Sequence, residues 1–391
     1  MPTVTSWRTW SWAHRHLRPA YTADPDTLDR VNTSPTPTGV PIDQALGAGG
    51  VDQVLLAAPR GFCAGVEMAI KALTWLVRMY EPPVYCYHEI VHNRLVVDRF
   101  RDLGVVFVDS LADVPIGAPL MLSAHGSPPE VVAAAQANGG FVVNAVCPLV
   151  TKVHHEARVR AGKGFNIVYV GHDGHDEAVG TMAVAPHAMH LVESIDDVAA
   201  LDIEGPVALL AQTTLSHHDW ADVLDAATTR FPEMWVPGHS DLCYATTNRQ
   251  DALSAMAPQC DAIVVIGSAN SSNTVALAKV ASAAGCAKVF RVNSAAELPA
   301  DLHGIVGVTA GASAPEELVN EVIAHLAPKR GVALVRVTDE DEYFPQPKEL
   351  REMVPAIAAA LAFGLGAPPP ERSALTNDRS TAASDVLASL R

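Results

Sequence analysis

Positive charge is scarce in this sequence: 27 lysines and arginines stand against 43 aspartates and glutamates, a formal net charge of −16. Such a chain repels nucleic acid and anionic membrane surfaces, so neither is expected as a partner, and any anionic ligand must be held by local donors. Long apolar runs are missing as well, each being broken by Gly, His or a charged residue before the roughly 20 residues that a bilayer requires. The six cysteines include no C-x-x-C pair and are too sparse for the disulfide framework of a small secreted domain, which points to a reducing cytoplasm. Neither a Walker A pattern nor a G-x-G-x-x-G after a strand occurs, so the sequence offers no nucleotide site.

What is present is enough chain for two or three domains, 391 residues with an ordinary balance of 49% hydrophobic and 18% charged positions. Residues 1–50 are rich in Thr, Pro, Asp and Gly without a sustained period and are expected to form a disordered extension. Arg8, Arg15, Arg18 and three tryptophans with no acid before Asp24 loosely resemble a transit peptide, which leaves organellar targeting open beside the cytoplasmic reading. Beyond about Gly364 the sequence reads as a tail without a core, ending in a short helix. Between these ends, apolar runs at 54–58, 105–108, 120–123, 141–146, 167–170, 207–210, 263–266 and 305–308 are candidate buried strands. Amphipathic stretches such as Val66, Ile70, Leu73 and Val77, or Leu318, Val319, Val322, Ile323 and Leu326, alternate with them. This alternation indicates α/β architecture with largely parallel sheets, in which ligands gather just beyond the carboxyl ends of the strands.

The turns at those positions carry more His, Cys and hydroxyl groups than connecting loops need. Cys63, Cys147 and Cys243, 84 and 96 residues apart, each lie where a strand-like segment gives way to a helix-like one, and a helix N-terminus favours the thiolate that binds metal. Thiolates select zinc, copper(I) or iron–sulfur clusters, and spacing alone does not choose among them. Three sulfurs on a cubane cluster would leave one iron open for a substrate oxygen, which suits catalysis. Cys86, Cys260 and Cys286 read as small buried hydrophobes.

The strings Pro59-Arg60-Gly61-Phe62-Cys63-Ala64-Gly65, Cys147-Pro148-Leu149-Val150-Thr151-Lys152, Cys243-Tyr244-Ala245-Thr246-Thr247-Asn248-Arg249-Gln250 and Thr309-Ala310-Gly311-Ala312-Ser313-Ala314-Pro315 occur in this order. With His88-Glu89-Ile90-Val91-His92-Asn93-Arg94, Ser123-Ala124-His125-Gly126 and Gly180-Thr181-Met182 they resemble the 4-hydroxy-3-methylbut-2-enyl diphosphate reductase family over about residues 51–327. The resemblance implies three pseudo-symmetric α/β domains around a central [4Fe-4S] cluster. They would comprise residues 51–146 with Cys63, 147–239 with Cys147 and 240–340 with Cys243, the initial strand being able to pack with the third, and 341–391 would form a C-terminal segment and tail.

It further implies that Cys63, Cys147 and Cys243 ligate the cluster and that the substrate hydroxyl meets its open iron. Two electrons, from a donor such as ferredoxin or flavodoxin, and two protons then expel water and leave isopentenyl and dimethylallyl diphosphate. His92, His125, His175, Ser271, Ser272, Asn273 and Ser313 fall on the family's diphosphate pocket, Glu177 on its acid and Thr213 on the hydroxyl that helps pass the proton. Charge-assisted hydrogen bonds from such donors suit a diphosphate, and the serines and Asn273 also read as helix caps. His154, His155, His217 and His218 read as surface residues. Three positions depart from the family pattern: Ala58 where Asn is frequent, Asp176 where Pro is usual and Val179 where an acid is common. The competing readings are a non-catalytic iron–sulfur redox or iron sensor of the same fold and a zinc-stabilised structural protein.

Overall fold

The computed structural model describes residues 50–368, 371 and 377–390; the expected N-terminal extension before Gly50 and part of the tail lie outside the described residues. Apolar runs without polar alternation need cover on both faces, and a parallel sheet flanked by helices supplies it. β1 (Gly50–Ala58) is such a run, buried throughout from Val54 to Ala58. It lies inside a five-stranded sheet ordered β10 (Val289–Val292), β9 (Ala262–Ile266), β11 (His303–Ala310), β1 and β12 (Val332–Arg336). Leu56 is paired with Val308 on one side and Leu334 on the other, so the first strand joins a sheet made otherwise from the third expected segment. A second sheet runs β3 (Val105–Val108), β2 (Val84–Tyr87), β4 (Leu120–Leu122), β5 (Val142–Asn144), and a third runs β7 (Met189–Val192), β6 (Asn166–Val170), β8 (Val207–Ala211). All pairings between these strands are parallel.

Parallel neighbours require crossover connections, and helices provide them: α1 (Ala64–Met79), α2 (Arg94–Asp102), α3 (Pro129–Ala137), α4 (Pro148–Gly162), α5 (Asp176–Met182), α6 (Ile195–Ala200), α7 (His217–Arg230), α8 (Tyr244–Met256), α9 (Ser272–Ala283) and α10 (Glu316–Leu326). Three of them carry the chain from one sheet to the next. β1 belongs to the first sheet, but Ile70, Leu73 and Leu76 of α1 pack on Val84, Cys86 and Met121 of the second. β5 belongs to the second, but Val153 and Ala157 of α4 pack on Ile167, Tyr169 and Leu210 of the third. After β8 of the third, Ala252, Leu253 and Met256 of α8 pack back on Leu55, Ile263 and Val265 of the first. Each of these helices begins immediately after one of the three cysteines, so each cysteine stands at a seam between two sheets.

The short helix expected at the chain end is present, and it is packed against the core. Beyond α11 (Lys348–Gly364), the last described helix, α12 (Ala383–Ala388), is no bare tail: Ala383 and Leu387 are buried in the core under α1, alongside Leu350 of α11. The Ala383 N–H donates to Glu67 Oε2 at 2.8 Å, which fastens the chain end to α1, and Tyr343 Oη, ahead of α11, donates to Asp378 Oδ1 at 2.6 Å. No helix among the described residues is long and apolar enough to cross a membrane.

Candidate active site

Cys63, Cys147 and Cys243 are the N-cap residues of α1, α4 and α8. Each is held from behind by a loop that follows a strand: their backbone N–H groups donate to the carbonyls of Ala312 (3.1 Å), Ala124 (3.0 Å) and Thr213 (3.0 Å) respectively. Gly65 is needed here, because a Cβ at that position would come within 2.8 Å of Cys147 Sγ and 3.9 Å of Cys63 Sγ. Burial pushes all three thiols up, Cys243 to about 11, against the helix-start amides that lower them. By themselves the sulfurs are held protonated, and a cationic metal centre is what would turn them into thiolate ligands. The remaining thiols lie elsewhere, Cys86 in the core beneath α1 and Cys260 and Cys286 beneath α8 and α9.

The first loop is locked by Arg249, a fully buried guanidinium on α8. It donates to the carbonyl of Gly61 at 2.8 and 3.2 Å, to those of Ala245 and Phe62, and to both carboxylate oxygens of Glu340 at 3.0 and 3.1 Å. The approach to Cys63 and the helix after Cys243 are thereby tied together.

Glu177, in the first turn of α5, is 2% exposed. Its carboxylate accepts the Thr213 N–H at 2.7 Å and the Thr213 hydroxyl at 3.1 Å. Desolvation raises its pKa to about 7, with the Thr213 hydrogen bonds opposing and the charge of Asp241 assisting. This is the range in which a carboxyl group serves as an acid at neutral pH.

The histidines gather beside it. His92 stacks on His125 with ring centroids 3.9 Å apart, and His175 meets both edge-on at 5.3 and 6.0 Å. Burial, then the neighbouring imidazoles, lowers the pKa of His125 well below its ordinary value and that of His175 to about 4. His175 is itself the N-cap of α5, its Nδ1 accepting the Glu177 N–H at 3.1 Å. Ser271 caps α9 as expected, accepting the Thr274 N–H, whereas Ser272 and Asn273 are already in the first turn. Ser313 caps nothing, because α10 starts after Pro315; its hydroxyl donates instead to the His92 carbonyl at 2.9 Å. Asn273 Oδ1 accepts the Ala312 N–H at 2.9 Å.

All twelve residues expected at the site, the three cysteines, Glu177, Thr213 and the seven pocket donors, line a single cavity. They sit just past the carboxyl ends of strands from all three sheets, where α/β proteins place ligands. His92, His125 and Asp176 bring ligand atoms within 4.8 Å of one another, as one ion would need, and the three cysteines line the same cavity.

A sequence model of the family described as LytB protein matches residues 54–327. The chain belongs to the LytB family. A 4-hydroxy-3-methylbut-2-enyl diphosphate reductase of Roseobacter denitrificans is 47% identical over 305 residues, covering 76% of this chain and 96% of that protein. Its namesake in Rhodopirellula baltica is 46% identical over 315 residues, covering 79% and 98%. Among solved structures, the E-1-hydroxy-2-methyl-but-2-enyl-4-diphosphate reductase of Plasmodium falciparum superposes with a TM-score of 0.75 at 31% identity, over 78% of this chain and 98% of that one. As a LytB protein the chain is a reductase of α/β fold.

Some LytB site features escaped the sequence reading. Phe344 lines the cavity from beyond the matched segment, Tyr244 and Thr246 line it within a motif already quoted, and Thr214 lines it beside Thr213. Of the three departures, Ala58 is buried at the end of β1 and Val179 faces solvent, but Asp176 stands among the histidines and accepts from His88 Nδ1 at 2.6 Å. His154 is corrected too: it is half-buried beneath the Gly126 loop, and desolvation lowers its pKa to about 4.

Proposed function

We propose that the chain catalyses the reductive removal of the hydroxyl group of 4-hydroxy-3-methylbut-2-enyl diphosphate, giving isopentenyl and dimethylallyl diphosphate, in non-mevalonate isoprenoid synthesis. The observation that carries this reading is a buried carboxyl group ionising near pH 7, hydrogen-bonded to a threonine and facing the cavity that three helix-capping thiols share. The donor set suits a polynuclear centre: three free thiols line one cavity, and a glycine stands where a Cβ would crowd two of the sulfurs. A [4Fe-4S] cluster held by Cys63, Cys147 and Cys243 would supply Lewis acidity and pass on two electrons from a donor such as ferredoxin or flavodoxin.

The protein's own groups account for the rest. His92, His125, His175, Ser271, Ser272, Asn273 and Ser313 hold the diphosphate, with hydrogen bonds from imidazoles, hydroxyls and the amides that open α9. Glu177 gives its proton, with Thr213 fixing its carboxyl group, to the departing hydroxyl. The C–O bond breaks, the oxygen leaves as water, and the allylic carbon skeleton takes up the electron pair and a second proton. A sensor would have no use for the diphosphate donors or for an acid so placed. The cytoplasm is the compartment that suits free thiols and a reducible cluster.

Serine substitution tests the assignment. Cys63→Ser, Cys147→Ser and Cys243→Ser should each lose bound iron and anaerobic reductase activity with the allylic diphosphate, whereas Cys86→Ser, Cys260→Ser and Cys286→Ser should keep both. Full iron and turnover in Cys147→Ser would overturn the reading, as would a colourless protein containing one zinc.

A further inference from the structure

The shortest ionic contact in the histidine cluster belongs to two residues with no part in the reading above. His88 Nδ1 lies 2.6 Å from Asp176 Oδ1. His88 reaches it from a left-handed backbone conformation, φ 59°, uncommon for a residue with a side chain and sustained only where the surroundings enforce it. Its N–H donates to the Val108 carbonyl at 2.9 Å and its ring stacks on Tyr87 at 4.1 Å. The other carboxylate oxygen, Asp176 Oδ2, faces His92 Nε2 at 3.8 Å and His125 Nδ1 at 3.6 Å, and that His125 nitrogen is buried without a hydrogen-bond partner. A carboxylate therefore stands directly behind two residues assigned to a diphosphate. Unless neutralised it would repel the ligand those residues hold.

We propose that His88 and Asp176 form a neutralising pair that makes diphosphate binding conditional on the proton of His88. While His88 is charged, the pair is neutral and Asp176 orients His92 and His125. When the proton leaves, Asp176 confronts the diphosphate as a bare anion. His88 and Asp176 are thus positioning residues, and the inference rests on the assignment of His92 and His125 to the diphosphate.

The groups facing the pair are few. Tyr87 and Asp109 lie near His88, His175 lies near Asp176, and Glu89 holds the far side of His92 at 3.3 Å. The hydrogen bond to Asp176 raises the pKa of His88, against desolvation, with the charges of Asp176 and Asp109 assisting. Asp176 and Glu89 are lowered and so remain ionised, while His125 and His175 are lowered and remain neutral. Within the pair, His88 is accordingly the member whose charge changes as pH rises above the ordinary histidine range.

Inorganic diphosphate is the probe, its dissociation constant measured anaerobically on iron-loaded protein from pH ~6 to ~9. The probe's own ionisation is common to every variant, so the differences between variants carry the result. Wild type should lose affinity as His88 deprotonates, and Asp176→Asn should flatten that loss, binding more tightly than wild type at the alkaline end. His88→Gln should weaken binding about tenfold even at the acid end, and adding Asp176→Asn to it should recover most of the loss. His88→Lys, which keeps its charge, should extend tight binding to alkaline pH. Parallel pH profiles for wild type and Asp176→Asn, or additive losses in the double variant, would overturn the proposal while leaving the pocket assignment intact. Stoichiometric zinc binding abolished by Asp176→Asn would also overturn it, since coordinated imidazoles are not free to bind phosphate. If wild type fails to bind diphosphate at any pH, the pocket assignment falls and the proposal falls with it.

Discussion

At the scale of single residues, Glu177 and Arg249 show how burial is put to opposite uses. Glu177 is kept protonated by desolvation and works in that form, so turnover should fall as pH rises through about 7. Glu177→Gln should lower turnover about 10²- to 10⁴-fold at neutral pH, lose that alkaline limb, and retain iron and diphosphate affinity in the same preparations. Stability carries the same sign. A folded-state pKa raised above the unfolded value means that the contribution present at low pH is lost as pH rises through about 7. The thermal midpoint of Glu177→Gln should therefore match wild type near pH ~5 and exceed it near pH ~8. Arg249, by contrast, is buried with every side of its guanidinium engaged, by the carbonyls of Gly61, Phe62 and Ala245 and the carboxylate of Glu340. Arg249→Met should cost about 3–5 kcal/mol in denaturant unfolding by leaving Glu340 and those carbonyls unpaired, and iron content should drop because Gly61 and Phe62 lead directly into Cys63.

At the scale of elements, the sequence was most legible where burial is complete. All eight apolar runs are strands; β4, β8 and β9 are buried throughout, as cover on both faces requires, whereas β3 and β5 are only partly buried edges that happen to be apolar. Four strands were missed. β7, β10 and β12 are edges that tolerate His190, Arg291 and Arg336, and β12 exposes Val332 and Leu334, while β2 is only four residues long behind Pro82 and Pro83. The three cysteines were readable as strand-to-helix turns, but nothing in their spacing announces that each helix crosses to the next sheet. The capping role expected of Ser313 failed for a related reason: its motif marks the loop after β11, and only the fold reveals that its hydroxyl turns toward His92. The paired histidines of α4 divide between two environments, His155 exposed and His154 wedged under the loop of His125. Gly126 sits in that wedge at φ +88°, where an added Cβ would lie 3.1 Å from both the His154 ring and Val150. Gly126→Ala should thus shift His125 and weaken diphosphate binding several-fold with iron content unchanged, as isothermal titration and iron analysis would report.

At the scale of the whole molecule, the helices that start at the cysteines link three sheets in a closed cycle, and the chain end reinforces the first link. Leu387 of α12 is 2% exposed in the core beneath α1. Leu387→Ala should cost about 2–4 kcal/mol, readable as a shift of the unfolding midpoint, a loss that a dispensable tail would not show. The short terminal helix was legible in the sequence but its burial was not, because its apolar residues have meaning only against α1.

The placement of β1 between β11 and β12 has a consequence for the order in which the protein comes into being. Among the described residues, the strand that leaves the ribosome first acquires its neighbours last, since they lie at residues 303–310 and 332–336. Cys63 follows that strand directly, and its backbone N–H is held by Ala312, another late arrival. A nascent chain that has already exposed all three thiols still lacks the framework that aims them at one another, because long-range parallel pairing must wait for its partner. On the proposed assignment of Cys63, Cys147 and Cys243, metal loading is therefore an event of the finished polypeptide, and a product terminated before β11 should carry every cysteine yet hold no iron on analysis.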